Sequence, residues 1–341
     1  MTGSRMRRTP LAPVLGAVLC VGLALSGCTT VAPTSADARL GPIAISGNKQ
    51  TFEIAPVLLA AQHYYPGQAS VNMGSIANLV GAPPVPGFGE VGEADLATNA
   101  ETQALRYSVA RPDLRIVMTV TEGLYRIVAR RSAGIASVAD LRGKRVATIP
   151  NTSSGYFLKL MLEHEGLAFE DIVAVPITPL AGMTAALERG EVDAVVIWEP
   201  ESENAAQVLG DDLVQFSGHG VYRELFNLNT TAAKLADPAS RQRIVRFIRA
   251  IIDASAEVRR DPARAQELVR VAGSFDATDV VQSWEHHAWL AGVAPDLLDV
   301  MEVQERWLAS RDNRPARNRA QLATLIDTSV YQEALALQVG E

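Results

Sequence analysis

Ser137–Leu167 reads SVADLRGKRVATIPNTSSGYFLKLMLEHEGL. Ser137 to Leu141 forms a short helix start, and Lys144 to Pro150 (KRVATIP) has the apolar, β-branched character of a buried strand. Asn151, Thr152, Ser153 and Ser154 follow, and these residue types begin helices because their side chains can accept from free backbone N–H groups. The helix runs to Glu165 and Gly166 stops it. Strand, polar turn and helix make up the repeating unit of an α/β fold.

The same unit recurs on both sides of this stretch. On the N-terminal side, GPIAIS (41–46), ASVNMG (69–74), ADLATN (94–99) and LRIVMTV (114–120) read as strands. Helical segments lie between them at Phe52 to Tyr64, Ser75 to Val80 and Ala100 to Ala110. Three Pro and four Gly make 81–92 (GAPPVPGFGEVG) a loop. LYRIVARR (124–131) is a strand long enough to leave one lobe for another. On the C-terminal side come the strand DIVAVPI (171–177), the helix MTAALERG (183–190), the strand VDAVVIW (192–198), a helix from Pro200 to Leu209 and the strand DLVQFS (212–217). A long strand, YRELFNLNTT (222–231), follows, and everything after Pro238 is helical. Such βαβ spacing predicts parallel sheets with helices on both faces, in two sets, one nested inside the other.

The chain has 341 residues, is 48% hydrophobic and carries a formal charge of -7. No dense Lys/Arg patch with interleaved aromatics is present, which argues against a nucleic-acid partner. The first eight residues contain Arg5, Arg7 and Arg8 and no acid, and an apolar run from Leu11 to Leu25 follows, too short to span a bilayer comfortably. Leu25-Ser26-Gly27-Cys28 resembles the bacterial lipobox, which implies cleavage before Cys28, acylation of that residue and anchoring by several acyl chains. An ordinary signal peptide with an incidental Cys is the alternative. On the lipobox reading, residues 1–27 are a lipoprotein signal peptide and 28–40 a flexible tether. The only other Cys, Cys20, leaves with the leader, so the remainder holds no disulfide and no Cys-based metal site.

Three motifs carry a wider resemblance. SVADLRGKRVATIPNTSSGYFLKLMLEHEGL is similar to the second-lobe entry of the nitrate/sulfonate/taurine and thiamine-pyrimidine binding proteins of ABC importers. ALERGEVDAVVIWEP (186–200) resembles their later Gly-Glu-Val-Asp-Ala turn and strand leading into Trp-Glu-Pro. GEADLATN (92–99) matches the analogous first-lobe motif. The resemblance covers about Ile43 to Thr231. It implies an α/β fold of the type II periplasmic-binding-protein class, with two lobes joined by two crossing strands, Tyr125 to Arg130 and Tyr222 to Thr230, and a helical C-terminal tail. Lobe 1 would comprise 41–126 and 227–341, and lobe 2 would comprise 127–226. It further implies a monomer at the extracytoplasmic face of the cell envelope, partnered by an ABC permease and ATPase. The Pro-rich loop departs from the family in being longer than usual.

In open α/β sheets ligands sit beyond the carboxyl ends of the strands, where helix N-termini present free N–H groups. The strand-to-helix loops therefore supply the candidate ligand residues: Ser46, Asn48, Ser75, Thr98 and Asn99 from the first set, and Asn151, Thr152, Ser153, Ser154, Trp198 and Glu199 from the second. Helix capping accounts for one residue of Asn151 to Ser154, not for all four. Trp198 can wall off or stack on a ligand and Glu199 can accept from a donor, the alternatives being a core Trp and a hinge-bonded Glu. Glu53, Glu101, Glu122 and Glu199 stand near these loops and only Lys49 is basic there. That balance favours a ligand with a donor group, such as an aminosulfonate, an amine or a pyrimidine, over nitrate or a dianion. His286-His287 and its flanking Trp284 and Trp289 read as helix packing, and Glu163-His164-Glu165 as a solvated helix end. No cofactor or metal motif and no nucleophile–base pair emerges.

Two other classes compete with a binding module: an enzyme on the same fold, related to small-acid lyases or a pyrimidine synthase, and a membrane-tethered ligand sensor. The synthase's Cys-rich iron motif is absent.

Overall fold

The structure, a computed structural model, describes residues 40–82 and 93–337. The leader, the lipobox with Cys28, the tether up to residue 39, and residues 83–92 of the Pro-rich loop lie outside the described residues. The strands are β1 (Ile43–Gly47), β2 (Ala69–Met73), β3 (Leu96–Ala100), β4 (Leu114–Leu124), β5 (Arg126–Arg130), β6 (Arg145–Ala147), β7 (Val173–Val175), β8 (Ala194–Ile197), β9 (Leu213–Ser217), β10 (Arg223–Thr231) and β11 (His287–Ala288). Among the described residues they form two sheets, ordered β11-β4-β10-β3-β1-β2 and β7-β6-β8-β5-β9. Both are flanked by helices, as an α/β fold requires.

The sheets are mixed rather than parallel. β1 runs parallel to β2 and β3, and β6 parallel to β7 and β8, with helical crossovers as expected. β10 is antiparallel to β3 and β4, and β5 antiparallel to β8 and β9. β5 and β10 are the strands by which the chain enters one sheet from the other; the short β11 is a further antiparallel strand, beside β4. Hydrophobic periodicity reports burial and cannot report direction. The passage from the first sheet to the second is Tyr125 alone, and the return is Gly218 to Tyr222, so β5 and β10 each pair within one sheet. The Gly218 N–H donates to the Tyr125 carbonyl at 2.8 Å, tying the two passages together. A Cβ on Gly218 would lie 2.4 Å from the Phe157 ring and 2.9 Å from that carbonyl, so only glycine fits.

The amphipathic segment beginning at Pro238 forms the helix Pro238–Arg260, capped by Asp237, whose carboxylate accepts from the Ser240 N–H at 2.7 Å. Its Ile244, Phe247, Ile248 and Ile251 are buried against the first sheet's core with Ile43, Ile45 and Phe52. Each such side chain contributes about 1.5–3 kcal/mol. Phe52 to Tyr64 is helical throughout but in three geometries: a 3-10 turn (Phe52–Ile54), an α-helix (Ala55–Leu59) and a π-turn (Ala60–Tyr64). Pro56 sits in the first α turn, where its missing N–H has no partner to lose.

The tail departs from an all-helical reading at Trp284–Ala288 and at two isolated bridges, Thr119 to Gly292 and Ile116 to Ile326. Trp284–His286 is a 3-10 turn, and β11 then pairs with β4 opposite Glu122 and Gly123. The helix packing expected of His286, His287, Trp284 and Trp289 is broken at the 3-10 turn and β11, because β4 offers an open edge that strand pairing satisfies. The Trp284 and Trp289 rings still meet, with centroids 4.5 Å apart.

Candidate functional site

A cavity of about 290 Å³ lies beyond the carboxyl ends of β1, β2, β3, β6 and β8. Of the residues singled out from sequence, Asn48, Ser75, Thr98, Asn99, Asn151, Thr152, Ser153 and Trp198 line it, whereas Ser46, Ser154 and Glu199 do not. Glu53, Glu224, Gln103, Arg106, Tyr107 and Phe226 also line it and were not among the candidates.

The helix Ser153–His164 brings its first turn to the cavity. A Cβ on Gly155 would lie 2.2 Å from the Pro150 carbonyl oxygen, so the helix is pressed onto the end of the preceding segment as closely as glycine permits. Thr152 occupies the cap position without capping; its hydroxyl donates instead to the Ile149 carbonyl at 2.8 Å. The first-turn N–H groups, with no intrahelical partners, remain for an incoming acceptor. Ser154 is fully buried and turned inward, accepting from Thr148 Oγ1 at 3.2 Å and contacting Thr152 Oγ1 at 2.9 Å. Asn151 is held across the mouth. Gln103 Nε2 and Arg106 Nη1 donate to its backbone carbonyl at 3.2 and 3.3 Å, and Arg311 Nε donates to its side-chain oxygen at 3.0 Å.

On the opposite side, Ser75 caps the helix Ile76–Val80 by accepting from the Ala77 N–H at 3.2 Å. Ser46 is buried in β1 behind Gly74, whose missing side chain makes room for it: a Cβ there would lie 2.9 Å from Ser46 Cβ. Asn99 accepts from the Ala100 N–H at 3.0 Å. Thr98 is 1% exposed, and its hydroxyl has no hydrogen-bond partner among the described residues.

The acids near the loops divide sharply. Glu122 pairs with Arg223 at 2.9 Å, and Glu199 pairs with Arg126 at 2.9 Å while accepting from the Glu203 N–H at 3.0 Å. Glu199 is buried, which raises its carboxyl, while the Arg126 guanidinium opposes that rise. Its charge is thus directed at the hinge side rather than at the cavity. Glu101 is fully buried and accepts from Tyr222 Oη at 2.8 Å, the Leu225 N–H at 2.9 Å and Gln304 Nε2. His286 Nε2 lies 3.8 Å from Glu199, and His287 Nε2 lies 3.8 Å from Glu53, so both histidines face acids near the inter-sheet passages.

Glu53 and Glu224 face the cavity itself. Burial first, then the neighbouring Glu53 and Glu101, push the Glu224 carboxyl well above the usual carboxylate range. Tyr125 Oη donates to Glu224, and Ser153 Oγ lies 2.9 Å from the same phenol oxygen. With its one proton directed at Glu224, Tyr125 accepts from Ser153. The hydroxyl–phenol–carboxyl chain so formed runs from the second-lobe helix start to β10. One sequence signal could have found Glu224: it is the single acid in YRELFNLNTT, a strand long and apolar enough to be central. Among the described residues, no group of three or more His, Cys, Asp or Glu is arranged to hold a metal ion.

The family described as NMT1/THI5 like matches residues 53–265. An Escherichia coli (strain K12) protein named for binding aliphatic sulfonates is 29% identical over 182 residues, which is 53% of this chain and 57% of that protein. The chain thus spans little more than half of that relative's length. Solved structures share the fold. The alkanesulfonate-binding protein of Xanthomonas axonopodis pv. citri, bound to MOPS, is 17% identical with a TM-score of 0.63, covering 84% of this chain and 98% of that one. The periplasmic nitrate-binding protein of Synechocystis PCC 6803 is 12% identical with a TM-score of 0.66, covering 87% and 88%.

Proposed function

Since this chain belongs to the NMT1/THI5-like family, we propose that it is an extracytoplasmic solute-binding protein that delivers a small polar organic molecule to an ABC importer. The observation that carries this reading is the cavity at the carboxyl ends of both sheets, lined from both lobes, with the helix start at Ser153 facing Thr98 and Asn99. Such a site holds a solute by contacts from two sides and closes on it. The relative named for aliphatic sulfonates supports a small oxygen-rich, sulfonate-like ligand, and the acids in the lining favour pyrimidine-like or amine-like chemistry beside it. An enzyme on the same fold is disfavoured by the relatives, which are named for binding; the lining holds no Cys, His or Lys among the described residues, although its Ser, Thr and Glu side chains are types that can act as nucleophile or base. Recovery of a bound ligand chemically altered would reverse that judgement.

The test is a melting screen of small sulfonates, amines and pyrimidines, followed by small-angle scattering with any ligand found. At a hundredfold excess over its Kd a ligand adds about 3 kcal/mol of stability, and the saturated protein should compact. A ligand that stabilises without compaction would argue against two-lobe capture, and the absence of any stabilising ligand across the screen would argue against solute binding.

The membrane attachment rests on Leu25 to Cys28. We expect the protein to label with palmitate and to partition into detergent, and Cys28→Ala to abolish both. A Cys28→Ala variant equally bound to membranes would rule out the lipid anchor.

A further inference from the structure

The cavity wall formed by Glu53 and Glu224 departs from what a simple anion site requires. Both side chains are removed from water, at 1% and 4% exposure. They lie close together: a Cβ placed on Gly123 would come 3.0 Å from Glu53 Oε1 and 3.6 Å from Glu224 Cβ. Glu53 and Thr98 both line the cavity, and neither Glu53 Oε2 nor Thr98 Oγ1 has a hydrogen-bond partner among the described residues. Buried polar atoms are almost always paired, and leaving an acceptor unpaired costs more than an average hydrogen bond contributes.

Among the described residues the basic groups of the surroundings make no hydrogen bond to either acid. Arg106, the one cationic residue among the described lining, is exposed and bonded to Gln103 at 3.2 Å and to the Asn151 carbonyl. Arg126 and Arg223 are paired with Glu199 and Glu122. His287 stands 3.8 Å from the other Glu53 oxygen, beyond hydrogen-bond reach. Glu101, the third acid nearby, already accepts three hydrogen bonds. Two neighbouring carboxyls in a dry wall cannot both ionise cheaply unless a positive charge arrives between them.

We propose that this wall selects a solute bearing a cationic N–H donor group, such as an ammonium, an amidinium or a protonated aminopyrimidine, with Glu53 and Glu224 as its acceptors and Thr98 completing the contact. The inference rests on the solute-binding reading and narrows it. A sulfonate without a nitrogen brings these acids neither a proton donor nor a positive charge, so this chain's selectivity differs from that of a binder of simple alkanesulfonates. An aminosulfonate fits, with its nitrogen at the acids and its sulfonate at the Ser153 helix start.

Calorimetric titration of the purified protein with two matched pairs tests this: 2-aminoethanesulfonate against ethanesulfonate, and 4-aminopyrimidine against pyrimidine. At least one amino member should bind about tenfold or more tightly than its partner, and Glu53→Gln and Glu224→Gln should each weaken it at least about tenfold. The unliganded Glu53→Gln protein should melt as high as the parent or higher, since a buried acid with one oxygen lacking a hydrogen-bond partner has been removed. A structural role for Glu53 would instead lower its melting temperature. If Glu53→Gln does not fold, Glu224→Gln carries the affinity test. Equal affinities within both pairs, unchanged affinity in the variants, or no binding by any of the four would overturn the proposal. Ethanesulfonate binding without discrimination would overturn it while leaving solute binding intact. If none of the four binds, solute binding is judged by the broader melting screen.

Discussion

Replacing Arg126 by Met is expected to destabilise the protein by about 3–5 kcal/mol, the cost of leaving buried charge without its partner. Arg126 opens β5 directly after the passage at Tyr125, and one of its nitrogens lies 2.9 Å from Glu199 and 2.6 Å from Glu203. A second donates to Gln215 at 3.0 Å. The three charged side chains are 10%, 3% and 16% exposed, so water cannot replace the guanidinium. His286 is the nearest alternative cation; burial first, then Arg126 and His287, hold its imidazole down to about 4 in the parent, and the burial, the largest cause, remains when Arg126 is removed. Urea unfolding at pH 7 measures the loss, and adding Glu199→Gln to Arg126→Met should recover much of it. A single variant within about 1 kcal/mol of the parent, the range of exposed pairs, would show that this cluster is hydrated in solution.

Acidification should remove roughly 3 kcal/mol through Glu305 alone. Its side chain is fully buried in the helix Leu297–Arg311, with Arg314 at 2.6 Å, Arg317 at 2.9 Å and the Arg317 N–H donating at 2.9 Å. Burial pushes the carboxyl up, but the hydrogen bonds from Arg317 and Arg314 outweigh it and hold the group down at about 2. The folded value lies below the unfolded one, so the stabilisation is complete above the ordinary carboxylate range and is lost as pH falls toward 2. Unfolding curves of the parent and Glu305→Gln at pH 7 and pH 3 should converge on acidification, with the variant the weaker at pH 7. Comparing the two cancels Glu101 and Glu224, whose raised carboxyls titrate in the opposite sense. A stability gap equally wide at both pH values would show that Glu305 does not titrate in this window.

Strand-to-helix units were legible because Lys144 to Pro150 and Asn151 to Ser154 combine a buried apolar run with helix-starting polar residues, a pattern that depends on near neighbours alone. The placement of polar residues at strand ends, where the cavity lies, follows from the same local logic. Which of these hydroxyls faces the cavity does not: Ser153 and Ser154 are adjacent and alike, yet Thr148 and Thr152 engage one of them inside the lobe. Glu199 illustrates the same limit. Its partner Arg126 is distant in sequence, and only the pairing of β5 with β8 brings them together. Glu224 was hidden because it sits within a strand rather than after one. The histidine segment was misread because spacing compatible with a helix is also compatible with a tight turn into a short strand.

The order β11-β4-β10-β3-β1-β2 also constrains how the chain assembles. β5 to β9 come from one continuous stretch, Arg126 to Ser217, so the second sheet has all its strands before β10 has been made. The first sheet does not. β10 sits between β4 and β3, and until it arrives β3-β1-β2 and β4 have no strand to join them. Completing that sheet means closing a chain loop as long as the whole inserted lobe, a non-local contact of the kind that slows folding. The inserted lobe can therefore reach its own core first, and its folding shortens the effective loop by bringing Arg126 and Ser217, paired neighbours on β5 and β9, side by side. The late-arriving strand also carries Glu224, so the cavity's acidic wall is completed only when the two halves of the first sheet are joined.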